Sequence, residues 1–177
     1  MIRKGISNFF YKLSITLLLI GSSGLVYAQQ DAQFTQYMFN GPFYNPAMVG
    51  RESGFRFSAL HRSQWLNYTT SAGTSGAPVT QLITAQGRLD SKNIGYGLTI
   101  VNDNIGATNN LEINLQGSYQ KKINRATLSF GGYFGMFSSS LNYAELIVVN
   151  PEPNLPFSGK ESQMALDFGA GFLLDHR

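Results

Sequence analysis

Histidine, cysteine and acidic side chains carry most catalysis and metal binding in proteins, and they are sparse in this chain. The 177 residues include two histidines, His61 and His176, and no cysteine. Neither histidine has an acidic residue or a second histidine at the spacing of a metal site. The lack of cysteine excludes a disulfide scaffold, a thiol nucleophile and a lipid-modified cysteine. We expect His61 to be a packing or interface residue.

Two short motifs are similar to ligand sites but lack the required context. The pair Gly95 and Gly97 lies inside an alternating segment rather than between a strand and a helix, so it does not fit a dinucleotide site. Residues 102–106 are similar to the start of a calcium loop but lack its closing glutamate, which favours an ordinary Asn/Asp/Gly loop. No nucleophile elbow or phosphate loop occurs. The sequence predicts a protein that is not an enzyme and that binds no metal or cofactor.

The first 28 residues have the pattern of a secretory signal peptide. Three basic residues within the first twelve positions precede an apolar run over residues 13–20, and a small-residue cleavage site ends at Ala28. The run is shorter than the roughly 20 residues of a spanning helix, although an uncleaved anchor is the alternative. Cleavage after Ala28 leaves ten basic and ten acidic residues. A neutral chain has no electrostatic footprint for nucleic acid.

The rest of the chain lacks helical periodicity and repeatedly alternates apolar with polar residues, which indicates strands with one exposed face. In residues 111–120, for example, Leu, Ile, Leu, Gly and Tyr alternate with Glu, Asn, Gln, Ser and Gln. Strands of this length, roughly 8–12 residues, are close to the about 9–11 that cross a bilayer. The alternation predicts six strands, over residues 55–65, 79–89, 94–101, 111–120, 126–137 and 164–174.

Alternation alone also permits a soluble β-sandwich, but three features favour a membrane barrel. All four lysines after the signal peptide fall in predicted turns or loops, and the polar face is rich in Gly, Ser and Thr. Short charged connections, at residues 90–93, 121–125 and 175–177, also alternate with long ones at residues 67–78, 102–110 and 138–163. We predict an all-β, antiparallel, transmembrane outer-membrane β-barrel. Because eight strands are the usual minimum, we expect this chain to be the N-terminal part of a longer barrel.

The predicted organisation is a signal peptide at 1–28, an N-terminal segment at 29–54 and the first part of a barrel at 55–177. The aromatic-rich segment 29–54 is either a plug or periplasmic contact segment, or an irregular first strand packed in the sheet. Its candidate partner-binding residues are Phe34, Tyr37, Phe39 and Asn45. Five charged residues on the polar face would point into the lumen, as a structural network or as groups that tune solute passage: Arg56, Arg62, Arg88, Glu112 and Asp167.

Five ordered blocks between residues 31 and 106 resemble the PorP/SprF family of type IX secretion outer-membrane proteins of Bacteroidetes. The blocks are residues 33–40 followed by Asn45-Pro46-Ala47 and Gly50, then Ala59-Leu60-x-Arg62-x-Gln64-Trp65, Gly76-Ala77-Pro78-x-Thr80-Gln81, Asn93-Ile94-Gly95-x-Gly97 and Val101-Asn102-Asp103-x-Ile105-Gly106. Residues 107–177 match only in style, and the segment 67–75 is longer than the family pattern.

The resemblance implies a role that alternation cannot show. It implies a barrel in the cell outer membrane, in contact with membrane lipid and with periplasmic components of the type IX secretion and gliding machinery. Its cargo would be a secreted surface protein or adhesin that it helps to export or to anchor, without catalysis. Two alternatives remain open from the residues alone, a general diffusion porin and a secreted soluble β-domain of adhesin type.

Overall fold

The computed structural model of the chain describes residues 34, 37–66, 76–143 and 159–176. The predicted signal peptide lies outside the described residues. A 3-10 turn at Tyr37–Phe39, a one-turn helix α1 at Gly41–Tyr44 and a second 3-10 turn at Pro46–Met48 precede the sheet. Six strands follow: β1 Phe55–Ser63, β2 Val79–Leu89, β3 Ile94–Ile105, β4 Thr108–Ile123, β5 Ala126–Asn142 and β6 Lys160–His176.

The strands form one antiparallel sheet in chain order, so each strand pairs with the next one along the chain. This confirms the predicted all-β antiparallel fold. The described strands form an open sheet with β1 and β6 at its edges, which is consistent with part of a barrel wall. No helix within the described residues has the length and hydropathy that a bilayer span requires.

The two faces of the sheet are inverted relative to those of a water-soluble domain. The neighbouring residues Leu115 and Gln116 show this directly: the leucine is 62% exposed and the glutamine 7% exposed. Bulky apolar side chains cover the outer face, whereas Thr84, Thr99 and Asn114 are buried on the inner face. A soluble sheet buries its apolar face, so an exposed apolar face opposite a buried polar one indicates a sheet that faces lipid.

The apolar band on the outer face has the height of a membrane. On β6 the outward residues from Met164 to Leu174 are all apolar, whereas Ser162 above them and His176 below them are polar. Ten steps of about 3.3 Å, tilted by about 40°, give a height of roughly 25 Å. This equals the apolar band typical of outer-membrane barrels, about 25 Å.

The observed strand bounds correct several predicted ones. β2 matches its predicted bounds, but the predicted long loop at 102–110 is wrong, because β3 and β4 meet in a tight turn at Gly106, where φ is +57°. The polar side chains of this segment satisfy one another across the strands: Asn109 Nδ2 donates to Asn102 Oδ1 at 3.1 Å. β5 and β6 likewise extend into the predicted loop at 138–163.

Lys121 and Lys122, which were predicted in a turn, lie near the end of β4 instead, with the turn itself at residues 124–125. Two short connections, 90–93 between β2 and β3 and 124–125 between β4 and β5, lie at one end of the sheet, here called the short-turn end. The opposite end has the two long connections, 64–78 and 143–159, and the two-residue turn at 106–107.

Candidate functional site

Residues 40–50 form a compact segment, here called the strap, that packs on the inner face of the sheet. Asn45 starts the second 3-10 turn, since its side-chain oxygen accepts the Ala47 N–H at 2.9 Å and Pro46 occupies the first turn position. Gly50, with φ of +65°, ends the strap in the left-handed conformation that glycine permits. Ala47 and Val49 are fully buried. The strap is therefore part of the packed structure.

The strap crosses the sheet over three glycines that lie in one register row. Gly95 on β3, Gly131 on β5 and Gly171 on β6 are aligned with Ser118 on β4 between the first two. A Cβ atom at each of the three would overlap the strap, at the Val49 carbonyl, at the Pro46–Ala47 peptide and at the Asn45 side chain respectively. The glycines thus allow the backbone of the strap to approach the strands closely.

Alternate side chains of β4 hold the strap by its backbone carbonyls. Gln116 Nε2 donates to the Pro42 oxygen at 2.8 Å, the Ser118 hydroxyl to the Val49 oxygen at 2.6 Å, and Gln120 Nε2 to the Gly50 oxygen at 2.7 Å. From β2, the Gln86 side-chain oxygen accepts the Gly50 N–H at 3.0 Å. Buried polar groups need partners, and here the strap supplies them.

Both ends of the strap region also contact β6. Asn45 Nδ2 donates to the Phe172 carbonyl oxygen at 3.1 Å. Just beyond the strap, the Arg51 guanidinium donates twice to Asp175 Oδ2, at 2.7 and 3.1 Å. On β1, the Ser58 hydroxyl donates to the side-chain oxygen of Asn40 at 3.4 Å, so the strap contacts all six strands.

The aromatic residues before the strap divide into buried and exposed ones. Phe34 is 5% exposed and its ring meets that of Phe43 edge-on at 5.1 Å between centroids. Tyr37 and Phe39 are 62% and 55% exposed, together with Met38 between them. Of the four candidate partner-binding residues, Phe34 and Asn45 are therefore engaged within the protein, and Tyr37 and Phe39 present free surface.

The five charged candidates lie on the inner-face positions of their strands, with local partners. Arg56 pairs with Glu52, and Arg88 pairs with Asp90 at 3.0 Å and donates to Asn93. Glu112 accepts a hydrogen bond from the Asn114 amide, and Asp167 accepts one from the Tyr133 hydroxyl at 3.1 Å. Arg62 also has an interaction partner within the protein.

The other residues that were considered for ligand binding make contacts within the protein. His61 lies on the outer face beside Ser63, at 3.0 Å between Nε2 and the hydroxyl oxygen. Gly97 faces Val49 of the strap. Within the described residues, no group of three His, Cys, Asp or Glu side chains could hold a metal ion.

The glycines and glutamines that hold the strap were not predicted from the sequence. Gln116, Ser118 and Gln120 were identified only as the polar face of a strand, and Arg51 and Asp175 were not singled out. The sequence contains both parts of this contact, glycine-rich faces on several strands and an Asn-Pro-Ala turn before β1. It does not show that they meet, because the hydrogen-bonded residues are 69 to 74 positions apart.

Comparison with known proteins agrees with this geometry. The family model described as type IX secretion system membrane protein PorP/SprF matches residues 26–177, most of the chain. No curated protein and no solved structure matches the chain. The match includes the strap and all six strands, and it confirms the resemblance found in the sequence. This chain therefore belongs to the PorP/SprF family of type IX secretion system membrane proteins.

Proposed function

We propose that this protein is a non-enzymatic outer-membrane component of the type IX secretion and gliding machinery that helps to export a surface protein or to anchor it. The observation that carries the proposal is the inverted sheet with a strap fixed on its inner face, which leaves Tyr37 and Phe39 exposed. Such a protein works by binding and not by bond chemistry, so any energy for transport comes from other components.

The orientation follows from the connections. Outer-membrane barrels have short turns on the periplasmic side. The strap leads into Arg51, which pairs with Asp175 at the short-turn end. The proposal includes removal of a signal peptide near Ala28, and it makes residues 29–54 a plug or contact segment entered from the periplasm. The strap packing supports a plug over an irregular first strand, because its residues form short helical turns and do not pair in the sheet.

The partner surface of this proposal consists of Tyr37, whose ring meets that of Tyr44 edge-on at 6.3 Å, and Phe39. Phe34 and Asn45 anchor the segments on either side of this surface, on Phe43 and on β6. Exposed aromatic side chains contribute large contact areas at low conformational cost and are enriched at binding hot spots. Periplasmic type IX components or the exported protein would contact this surface. The inner-face charges, among them Arg56, Arg62 and Asp167, would stabilise the lumen wall as a network.

The two alternative functions meet specific obstacles. A diffusion porin needs an open aqueous inner face, whereas here the strap crosses that face near the short-turn end, with Ala47 and Val49 fully buried. A secreted soluble domain would expose Phe57, Leu115, Phe134 and Phe168 to water in one register row. Such a contiguous apolar surface is rare on soluble monomers.

The experiment is surface proteomics of a strain that lacks this gene, complemented with three forms of the full-length protein. We expect the parent form to restore one or a few large surface proteins. The double variant Tyr37→Ala, Phe39→Ala should insert into the outer membrane at a normal level but fail to restore them. The control Phe57→Ala removes an equally exposed ring from the outer face and should restore them fully.

Each result has a defined meaning. An unchanged surface proteome with altered uptake of small solutes would establish the porin and overturn the proposal. Release of the protein from membranes by carbonate would establish the soluble domain instead. Failure of the double variant to reach the outer membrane would show that Tyr37 and Phe39 are structural, which would overturn their assignment as the partner surface.

A further inference from the structure

The charges of the protein are distributed unevenly along the membrane axis. The short-turn end carries three acidic residues, Glu52, Asp90 and Asp175, and seven basic ones: Arg51, Arg56, Arg88, Lys92, Lys121, Lys122 and Arg125. Each of the three acidic residues is paired with an arginine, at 3.0 Å or less. The other four basic residues form no salt bridge within the described part of the chain and are exposed.

Two of these four basic residues, Lys92 and Lys121, lie where the lipid-facing surface ends. Lys121 is in register with Leu128 and Leu174 on the outer face, directly beyond the row that contains Tyr119, Phe130 and Phe172. Lys92 lies in the turn between β2 and β3, which is close to Lys121, since the N–H of the adjacent Gln120 donates to the Asn93 oxygen at 3.0 Å. Lys122 and Arg125 line a cavity on the inner face instead.

We propose that Lys92 and Lys121 form a binding site for the phosphate of an anionic lipid headgroup in the periplasmic leaflet of the outer membrane. Ammonium and guanidinium groups bind phosphate oxygens through charge-assisted hydrogen bonds. A lysine at the edge of an apolar band extends its methylene stem along that band and places its charge at headgroup level. This geometry favours a lipid over an acidic protein, because Lys121 emerges among residues that face lipid.

The site would fix the depth of the barrel in the membrane and hold the short-turn end at the periplasmic surface. Each cation near an anionic membrane surface contributes about a fivefold change in affinity. Two together should give a marked preference for an anionic over a zwitterionic headgroup, and this preference should weaken with salt. The inference rests on the membrane placement of the sheet and does not depend on which surface protein is served.

The test is native mass spectrometry of the full-length protein in detergent, titrated with phosphatidylglycerol or phosphatidylcholine. We expect tighter binding of phosphatidylglycerol, weakened about fivefold by Lys121→Gln and more than twentyfold by the double variant Lys92→Gln, Lys121→Gln. Lys121→Arg should retain binding. The matched control is Lys122→Gln, which removes the same charge one residue away but from the inner face, and it should leave lipid binding unchanged.

Four results would overturn the proposal. They are equal effects of Lys121→Gln and Lys122→Gln, no preference for phosphatidylglycerol, full displacement of the lipid by inorganic phosphate, and loss of an acidic periplasmic protein from the double variant without any change in lipid binding. The third would indicate a site for free phosphate, and the last would indicate a protein contact. Circular dichroism of each variant shows that the sheet is retained, so that loss of lipid binding reports on the site.

Discussion

The close contact between the strap and Gly131 allows a sharp test of the inner-face packing. In Gly131→Ala, the added Cβ would overlap the backbone of Pro46 and Ala47 and cannot be relieved by a side-chain rotation. Inserting one carbon into a packed contact costs about 1–3 kcal/mol. The matched control is Gly117→Ala, on the outer face, where an added Cβ meets no atom within 4 Å.

The strap can be followed with a single thiol, because the chain has no cysteine of its own. Val49 lies in the strap and is fully buried, so Val49→Cys places a buried thiol within the strap without added volume. In the parent background we expect slow labelling by a maleimide, limited by opening of the strap. A cost of about 1–3 kcal/mol should speed labelling by about fivefold to a hundredfold in Gly131→Ala.

Gly117→Ala should leave the labelling rate of the same thiol unchanged. If Gly131→Ala labels no faster than Gly117→Ala, then the strap does not rest on Gly131 and the described inner-face packing is wrong. If both variants label faster by the same factor, the effect comes from general weakening of the sheet, which equally refutes the argument from close contact.

Three further predictions concern the outer face, the strap and the end of β5. Leu115→Lys should lower the free energy of unfolding from lipid vesicles by about 2–4 kcal/mol, measured by urea titration, because a charge at the midplane leaves water; little change would mean that this face is wet. Ser118→Ala removes the donor to the Val49 carbonyl, at 2.6 Å, and should speed labelling of the Val49→Cys thiol by about fivefold, as a loss of about 1 kcal/mol requires. The Glu161 carboxylate, which accepts from the Tyr143 hydroxyl at 2.6 Å, raises the pKa of that tyrosine, so Glu161→Gln should lower it in an absorbance titration. The stabilising effect of this pair is present below the ordinary tyrosine pKa and is lost as the pH rises through the raised one. An unchanged titration would exclude the contact.

The sequence predicted the faces of the sheet better than the ends of its strands. Alternation placed Leu115 outward and Gln116 inward, because side chains on a strand change face at every residue. The bounds failed where both faces become polar, as at Asn102 and Asn109. There the strands continue because their amide side chains bind each other across the pair, and a hydropathy pattern carries no information about such contacts.

The strap could not be located from the sequence for a different physical reason. Asn45, Pro46 and Gly50 are recognisable as turn residues, but turn chemistry does not say which surface a turn contacts. That information lies in Gly131 and Gly171, which are ordinary strand glycines until the register brings them under the strap. The same holds for Arg51, whose partner Asp175 is 124 residues away.

Residues that carry the family resemblance lie close together in the structure, which limits the residues that can determine partner specificity. Asn45, Pro46 and Gly50 come from one block and Gly95 from another, and the structure brings them together as strap and glycine row. In this chain they hold the strap against the inner face of the sheet. Under the proposed function, family members that share this packing would serve different surface proteins through residues that the strap leaves free. In the described part of this chain, Tyr37 and Phe39 are such residues, since they are positioned by the strap and exposed beside it. Exchanging these two side chains between family members should therefore change the surface protein that is served, while the Val49→Cys thiol still labels slowly. Faster labelling after the exchange would show that the two side chains also hold the strap, and would contradict this separation of roles.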